Sequence, residues 1–115
     1  MTDDKQAAAF IEAWDAVARD VHATAREKGW WDVDRNDGEM IALMHSELSE
    51  ALEFLRHDNP PDDKIPAYSG AEAELADVVI RLMDMAQGRG WDIARALVEK
   101  LAFNRTRERR HGKQF

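Results

Sequence analysis

Two acidic pairs at helical spacing are the residues of this sequence best suited to chemistry. Glu47 and Glu50 lie three apart in HSELSEALE, and Glu74 and Asp77 repeat the interval in ELAD. Residues three apart on a helix share a face, so two such helices side by side set four carboxylates around one space. Four carboxylates repel strongly unless something positive lies between them, and hard divalent cations take oxygen ligands of this kind. An oxygen-only set favours Mg²⁺, Mn²⁺ or Ca²⁺ over zinc. The pair of pairs therefore reads as a Mg²⁺ site, with Mn²⁺ as a substitute. A di-iron carboxylate bundle would want Glu-x-x-His on each of two helices. The one such motif here is Glu108 to His111, in a basic tail, and His45 does not follow an acid by three residues. The di-iron reading falls.

The elements that must position these acids are helices throughout. Thr2 or Asp3 can cap a first helix reaching about Lys28, with Phe10, Trp14, Val17 and Val21 as its core stripe and Gly29 as its stop. A loop with two adjacent tryptophans follows, and Asn36 three residues before Glu39 resembles a capping box. The second helix is expected over Asp37–His57, with Ile41, Met44, Leu48, Ala51, Leu52 and Leu55 as its apolar face. Glu47 and Glu50 lie beside that face among Met40, Leu43 and Phe54, where a carboxylate is partly desolvated and wants a compensating partner. Glu53 turns further out.

All three prolines fall in DNPPDDKIPAYSG, which cannot be helix throughout and is long enough to serve as an active-site flap. Ser69 and Glu72 form a Ser-x-x-Glu capping box for a third helix running to about Gln87. Its core face is Leu75, Val78, Val79, Leu82 and Met85, its adjoining strip Glu74, Asp77 and Arg81, and its far side Ile80 and Met83. A helix apolar most of the way round, in so small a chain, implies burial against a second subunit. Asp92 sits in the first turn of a fourth helix lined by Ile93, Leu97 and Leu101, and Lys100, Asn104 and Arg107 fall close to that face if the helix continues. Arg81 could balance Asp77 and Glu74 or touch a substrate, and the salt-bridge reading is preferred. The fold class is all-α, a four-helix bundle in a single domain over residues 1–115 with a basic tail from about 105, and oligomeric.

Composition removes several function classes. Cysteine is absent, so there is no disulfide, thiolate metal site or Cys nucleophile. No apolar run approaches the ~20 residues of a membrane span, and the acidic N-terminus lacks the basic start of a signal peptide. The expected compartment is the cytoplasm. From Lys100 onward six Lys/Arg face one acid, on a body acidic enough to leave the whole chain at -7. That balance argues against nucleic-acid binding and suits a small anionic ligand held by metal on one side and basic groups on the other. Trp30 and Trp31 could stack on a nucleobase or could staple the first helix to the bundle; the reading is one of each. Trp14 and Trp91 are expected in the core.

Ser46-Glu47-Leu48-Ser49-Glu50 followed by Glu74-Leu75-Ala76-Asp77, with ELADVVIRLMDMA and EKLAFNRTRERRHGK around and after them, resembles the MazG-like all-α nucleoside triphosphate pyrophosphohydrolases. The resemblance covers about Lys28 to Lys113. Its pattern is Glu-Glu-x-x-Glu, a spacer, then Glu-x-x-Asp. Ser46 stands in place of the first Glu, which implies fewer metal ions or one held through water. The resemblance implies hydrolysis of a nucleoside triphosphate to the monophosphate and pyrophosphate, in the clearance of non-standard or surplus nucleotides by a homodimer or homotetramer. It implies Glu47, Glu50, Glu74 and Asp77 as metal ligands. Glu50, or Glu47 or Glu53, would then orient or deprotonate the water. Lys100, Asn104 and Arg107 match the positions where the family's fourth helix meets phosphates. Two other classes are compatible with the pattern: a nucleotide binder without turnover, and a helical interaction module that needs no paired acids.

Overall fold

The computed structural model describes residues 3–114. Its elements are α1 (Asp4–Glu27), α2 (Asp37–Arg56), α3 (Gly70–Arg89), α4 (Ile93–Arg105) and a short 3₁₀ turn (Arg109–Gly112). There is no strand among the described residues, only an isolated bridge between Pro61 and Ser69. None of the helices is long and apolar enough to cross a membrane.

Each helix starts where a short polar side chain meets a free backbone N–H. Asp3 accepts from Gln6 N at 2.6 Å and Asn36 from Glu39 N at 3.0 Å. Ser69 and Glu72 complete a reciprocal capping box, and Asp92 caps α4 by accepting from Arg95 N. Asp92 is thus the cap itself, one position outside the first turn in which the sequence placed it. Thr2, the other candidate for the first cap, lies outside the described residues. Asn36 makes only its own half of a box.

Two helix ends differ from expectation. α3 runs through Gly88 to Arg89 and stops at Gly90, whose φ of 74° is left-handed. Gly88 stays helical because the Trp31 ring lies against it; a Cβ there would overlap that ring. α4 stops at Arg105, so Arg107 lies beyond the helix and does not extend the stripe of Lys100 and Asn104.

α3 is the central element, packed against α2 on one side and α1 on another, while α4 lies against α1. The buried apolar set is Ala18, Met40, Ala51, Ala71, Ala73, Met83, Met85, Ala86 and Ala94. These are small or flexible side chains. The branched residues assigned to the core are largely not in it: Leu48 is 44% exposed and Leu52 49%, with Val17, Ile41, Leu55, Leu75, Val79, Leu97 and Leu101 also exposed. Met83, assigned to the far side, is buried, and Trp91 is half exposed. The cause is one of phase. α2 and α3 are apolar over so wide an arc that two faces qualify as core, and within one chain they pack through the strip carrying Met40, Glu47 and Ala51.

The connection over residues 57–69 is pinned rather than loose. Asp58 and Asn59 adopt left-handed backbone (φ 63° and 52°), and Asn59 Oδ1 accepts from Ala71 N at 2.9 Å. Gly70 N donates to Pro60 O, and Asp62 accepts from the N–H groups of Lys64 and Ile65. Gly70 is buried against the Phe54 ring, where a Cβ would have no room.

Candidate functional site

The packing of α2 on α3 brings the acids together. Glu47, Glu50 and Glu74 each present a carboxylate oxygen within 4.8 Å of the others. Glu47 is buried, Glu74 half-buried and Glu50 exposed. Asp77, one turn along α3, lines the same cavity but stands outside that group of three. Glu53 is not at the cavity. It is exposed on the outer side of α2, bonded to His57 at 2.8 Å and facing Arg56 at 3.5 Å.

Electrostatics mark the cluster as incomplete. Sharing a proton with Glu47, aided by burial and by the charge of Glu50, pushes the Glu74 carboxyl up to about 8. The same shared proton holds Glu47 below the ordinary glutamate range, helped by Arg81 against the cost of burial. Burial, then the negative charge of Glu47, raises Asp77. Glu74 Oε2 is buried and has no hydrogen-bond partner. An orphaned carboxylate oxygen beside two further carboxylates fits a hard cation, for which oxygen is the preferred ligand. Arg81 does make an ion pair, but to Glu47 across the helix interface at 3.0 Å and not to Asp77 or Glu74 on its own helix.

The cavity has a volume of about 430 Å³ and is walled by α1, α2 and α3, with Lys64 of the connection reaching its edge. That size suits a nucleotide-scale ligand. Met40, Leu43, Ile80 and Trp30 supply apolar lining to the same cavity. The two tryptophans are distinct. Trp31 is locked: its indole N–H donates to Asp84 Oδ1 at 2.9 Å, its ring meets His22 edge-on, and its far edge covers Gly88. Trp30 is 51% exposed and lines the cavity.

A second polar centre escaped the sequence reading. Asp84 is only 6% exposed and accepts three hydrogen bonds, from His22 Nδ1 at 2.8 Å, from Trp31, and from Arg35 at 3.2 Å. Since an ionised carboxylate can only accept, His22 is the donor in its pair. Arg35 also lies over both indoles, 5.5 Å from the Trp30 ring centre and 5.2 Å from that of Trp31. Arg89 ties the same loop down by donating to Asp37 and to the Arg35 carbonyl. The signal available was Asp84 itself, an acid two helical turns beyond Asp77 and one turn beyond Arg81 on the same strip of α3.

Lys100, Asn104 and Arg107 do not line the cavity. Lys100 and Arg107 instead flank the exposed Phe103 ring, at 5.6 and 5.9 Å from its centre. In comparisons with known proteins, no family model, curated protein or solved structure matches this chain.

Proposed function

We propose that this chain is an oligomeric Mg²⁺-dependent nucleoside triphosphate pyrophosphohydrolase of MazG-like type, acting in the cytoplasm on non-standard or surplus nucleotides. The observation that carries the reading is the carboxylate cluster of Glu47, Glu50 and Glu74, with its orphaned buried oxygen, in a nucleotide-sized cavity that Trp30 also lines. Glu47, Glu50, Glu74 and Asp77 would hold the cation. When bound, such an ion neutralises charge building on phosphoryl oxygens and acidifies the attacking water. Glu50 is the exposed member of the cluster, and is the group assigned to receive the proton of that water. Glu53, engaged with His57 and Arg56 outside the cavity, drops behind it.

Trp30 supplies the stacking surface for the base, a contact worth about 1–3 kcal/mol where it has been measured in single-strand binders. Trp31 is the staple. Lys64 lines the cavity and gives the triphosphate a cationic partner within the chain. Lys100, Asn104 and Arg107 would reach phosphate only from a second copy, for which the exposed leucine, isoleucine and valine faces of α2 and α3 offer a surface.

The test is to incubate the protein with standard and modified (d)NTPs, with Mg²⁺ and with EDTA, and to separate the products. Monophosphate plus pyrophosphate, formed only with Mg²⁺, is the expected result. Diphosphate plus phosphate would move the attack away from the α-phosphorus. Stabilisation by Mg²⁺ and nucleotide without turnover would leave a binder, and neither effect would leave an interaction module.

A further inference from the structure

Resting on the nucleotide reading above, the geometry points to Arg35 as the residue that selects the base. It favours nucleotides whose base edge carries an exocyclic carbonyl (guanine, hypoxanthine, uracil or thymine) over those carrying an amino group there (adenine or cytosine). The donors and acceptors that line the cavity decide which base edge fits. Both oxygens of Asp84 are engaged, Oδ1 by His22 and Trp31 and Oδ2 by Arg35. Glu47 Oε1 is engaged by Arg81. Apart from the carboxylates, the polar side chains lining the cavity are Thr24, Lys28, Trp30, Arg35, Lys64 and Arg81, of which only Thr24 can accept. Arg35 uses one N–H on Asp84, and its other guanidinium N–H groups have no protein acceptor among the described residues. Arg81 brings a second guanidinium to 5.8 Å from the Trp30 ring centre.

A base that reaches Trp30 therefore meets guanidinium groups, which donate and never accept. A carbonyl at C6 of a purine or C4 of a pyrimidine takes such a donor, and O6 with N7 takes two from one guanidinium. An amino group at the same atom sets donor against donor and leaves both unpaired. Arg35 suits the task because it is held still. Asp84 pairs with its charge, its guanidinium lies within 5.5 Å of both indole ring centres, and its side chain is 13% exposed. Asp84 acts as the positioning residue for this reader.

Two matched pairs test that edge, each exchanging the carbonyl for an amino group and the adjoining ring N–H for a bare nitrogen: inosine against adenosine triphosphate, and uridine against cytidine triphosphate. For each, kcat/KM is measured with Mg²⁺, and Kd by quenching of Trp30 fluorescence, which needs no turnover and is assigned by its loss in Trp30→Phe. The wild type is expected to favour the oxo member of both pairs by about tenfold, the lower range for a guanidinium reading a base edge. Arg35→Gln, which offers a donor and an acceptor, should bring both ratios close to one. Arg35→Lys keeps the charge toward Asp84 but lacks the planar fork, and should lose most of the preference. If Arg35→Gln fails to fold by circular dichroism, the lysine variant and the wild-type ratios still decide. Equal use of both members, or preference for the amino member, overturns the inference while leaving the pyrophosphohydrolase reading intact. So does a preference unchanged in the Arg35 variants. Absence of both turnover and quenching with all four nucleotides overturns the reading and the inference together.

Discussion

Glu74 holds a proton where a cation would otherwise balance its neighbours, and the consequences can be measured. Its carboxyl, pushed up to about 8, binds a proton more tightly in the folded chain than in the unfolded one. Between the ordinary glutamate value of ~4.3 and about 8 the folded form carries the extra proton, so stability falls as pH rises through that window. Asp77, also raised, pulls in the same direction, whereas lowered Glu47 acts only at more acidic pH. The melting temperature of the metal-free protein should therefore drop from about pH 5.5 to about pH 8.5, and Glu74→Gln should flatten the drop. If the cluster holds Mg²⁺ as proposed, the ion has to displace that proton, so its binding should tighten with pH and release protons detectable with an indicator dye at pH 7. At the same scale, Glu50→Gln and Asp77→Asn should each lower kcat by about 100-fold or more, with circular dichroism unchanged. Full activity in either variant would remove that residue from the site. The acids were legible in the sequence because an interval of three on a helix is a local property. Asp84, His22 and Arg35 were not, since they come from segments 49 and 62 positions apart and share no periodicity.

The caps of the second and third helices and the stop of the first were legible one by one, because Asn36, Ser69 with Glu72, and Gly29 act on N–H and C=O groups within a few residues. The end of α3 was misread because Gly88 looks like a breaker until Trp31, from a distant loop, covers it. That contact makes Gly88→Ala informative. The added methyl has no room beside the Trp31 ring, and overpacking of this kind costs about 1–3 kcal/mol. Thermal denaturation should show the loss. Asp84→Asn should cost about 3 kcal/mol or more, because Arg35 would keep its charge in a nearly enclosed place without a countercharge. Chemical denaturation measures it. The pair of variants separates the two supports of the tryptophan loop, one steric and one ionic.

Across the whole molecule, the helix count and order follow from periodicity, but which apolar face turns inward does not. α2 and α3 each carry two candidate faces, and the chain buries the one made of alanine and methionine together with Glu47. Leu48, Leu52, Leu55, Leu75 and Val79 remain outside. If these faces join two copies, Leu48→Glu with Leu52→Glu should convert the assembly to monomers on a sizing column with light scattering. An unchanged mass would show that the faces serve another purpose. The small side chains of the interior carry a further consequence for heat. Burying alanine removes little apolar surface from water, and the heat capacity of unfolding scales with that surface. A lone chain should unfold with a heat-capacity change below the usual ~12–15 cal/mol/K per residue, and so with a flat dependence of stability on temperature. Covering the branched faces restores the missing surface, so the curvature should steepen, and the melting point climb, with protein concentration.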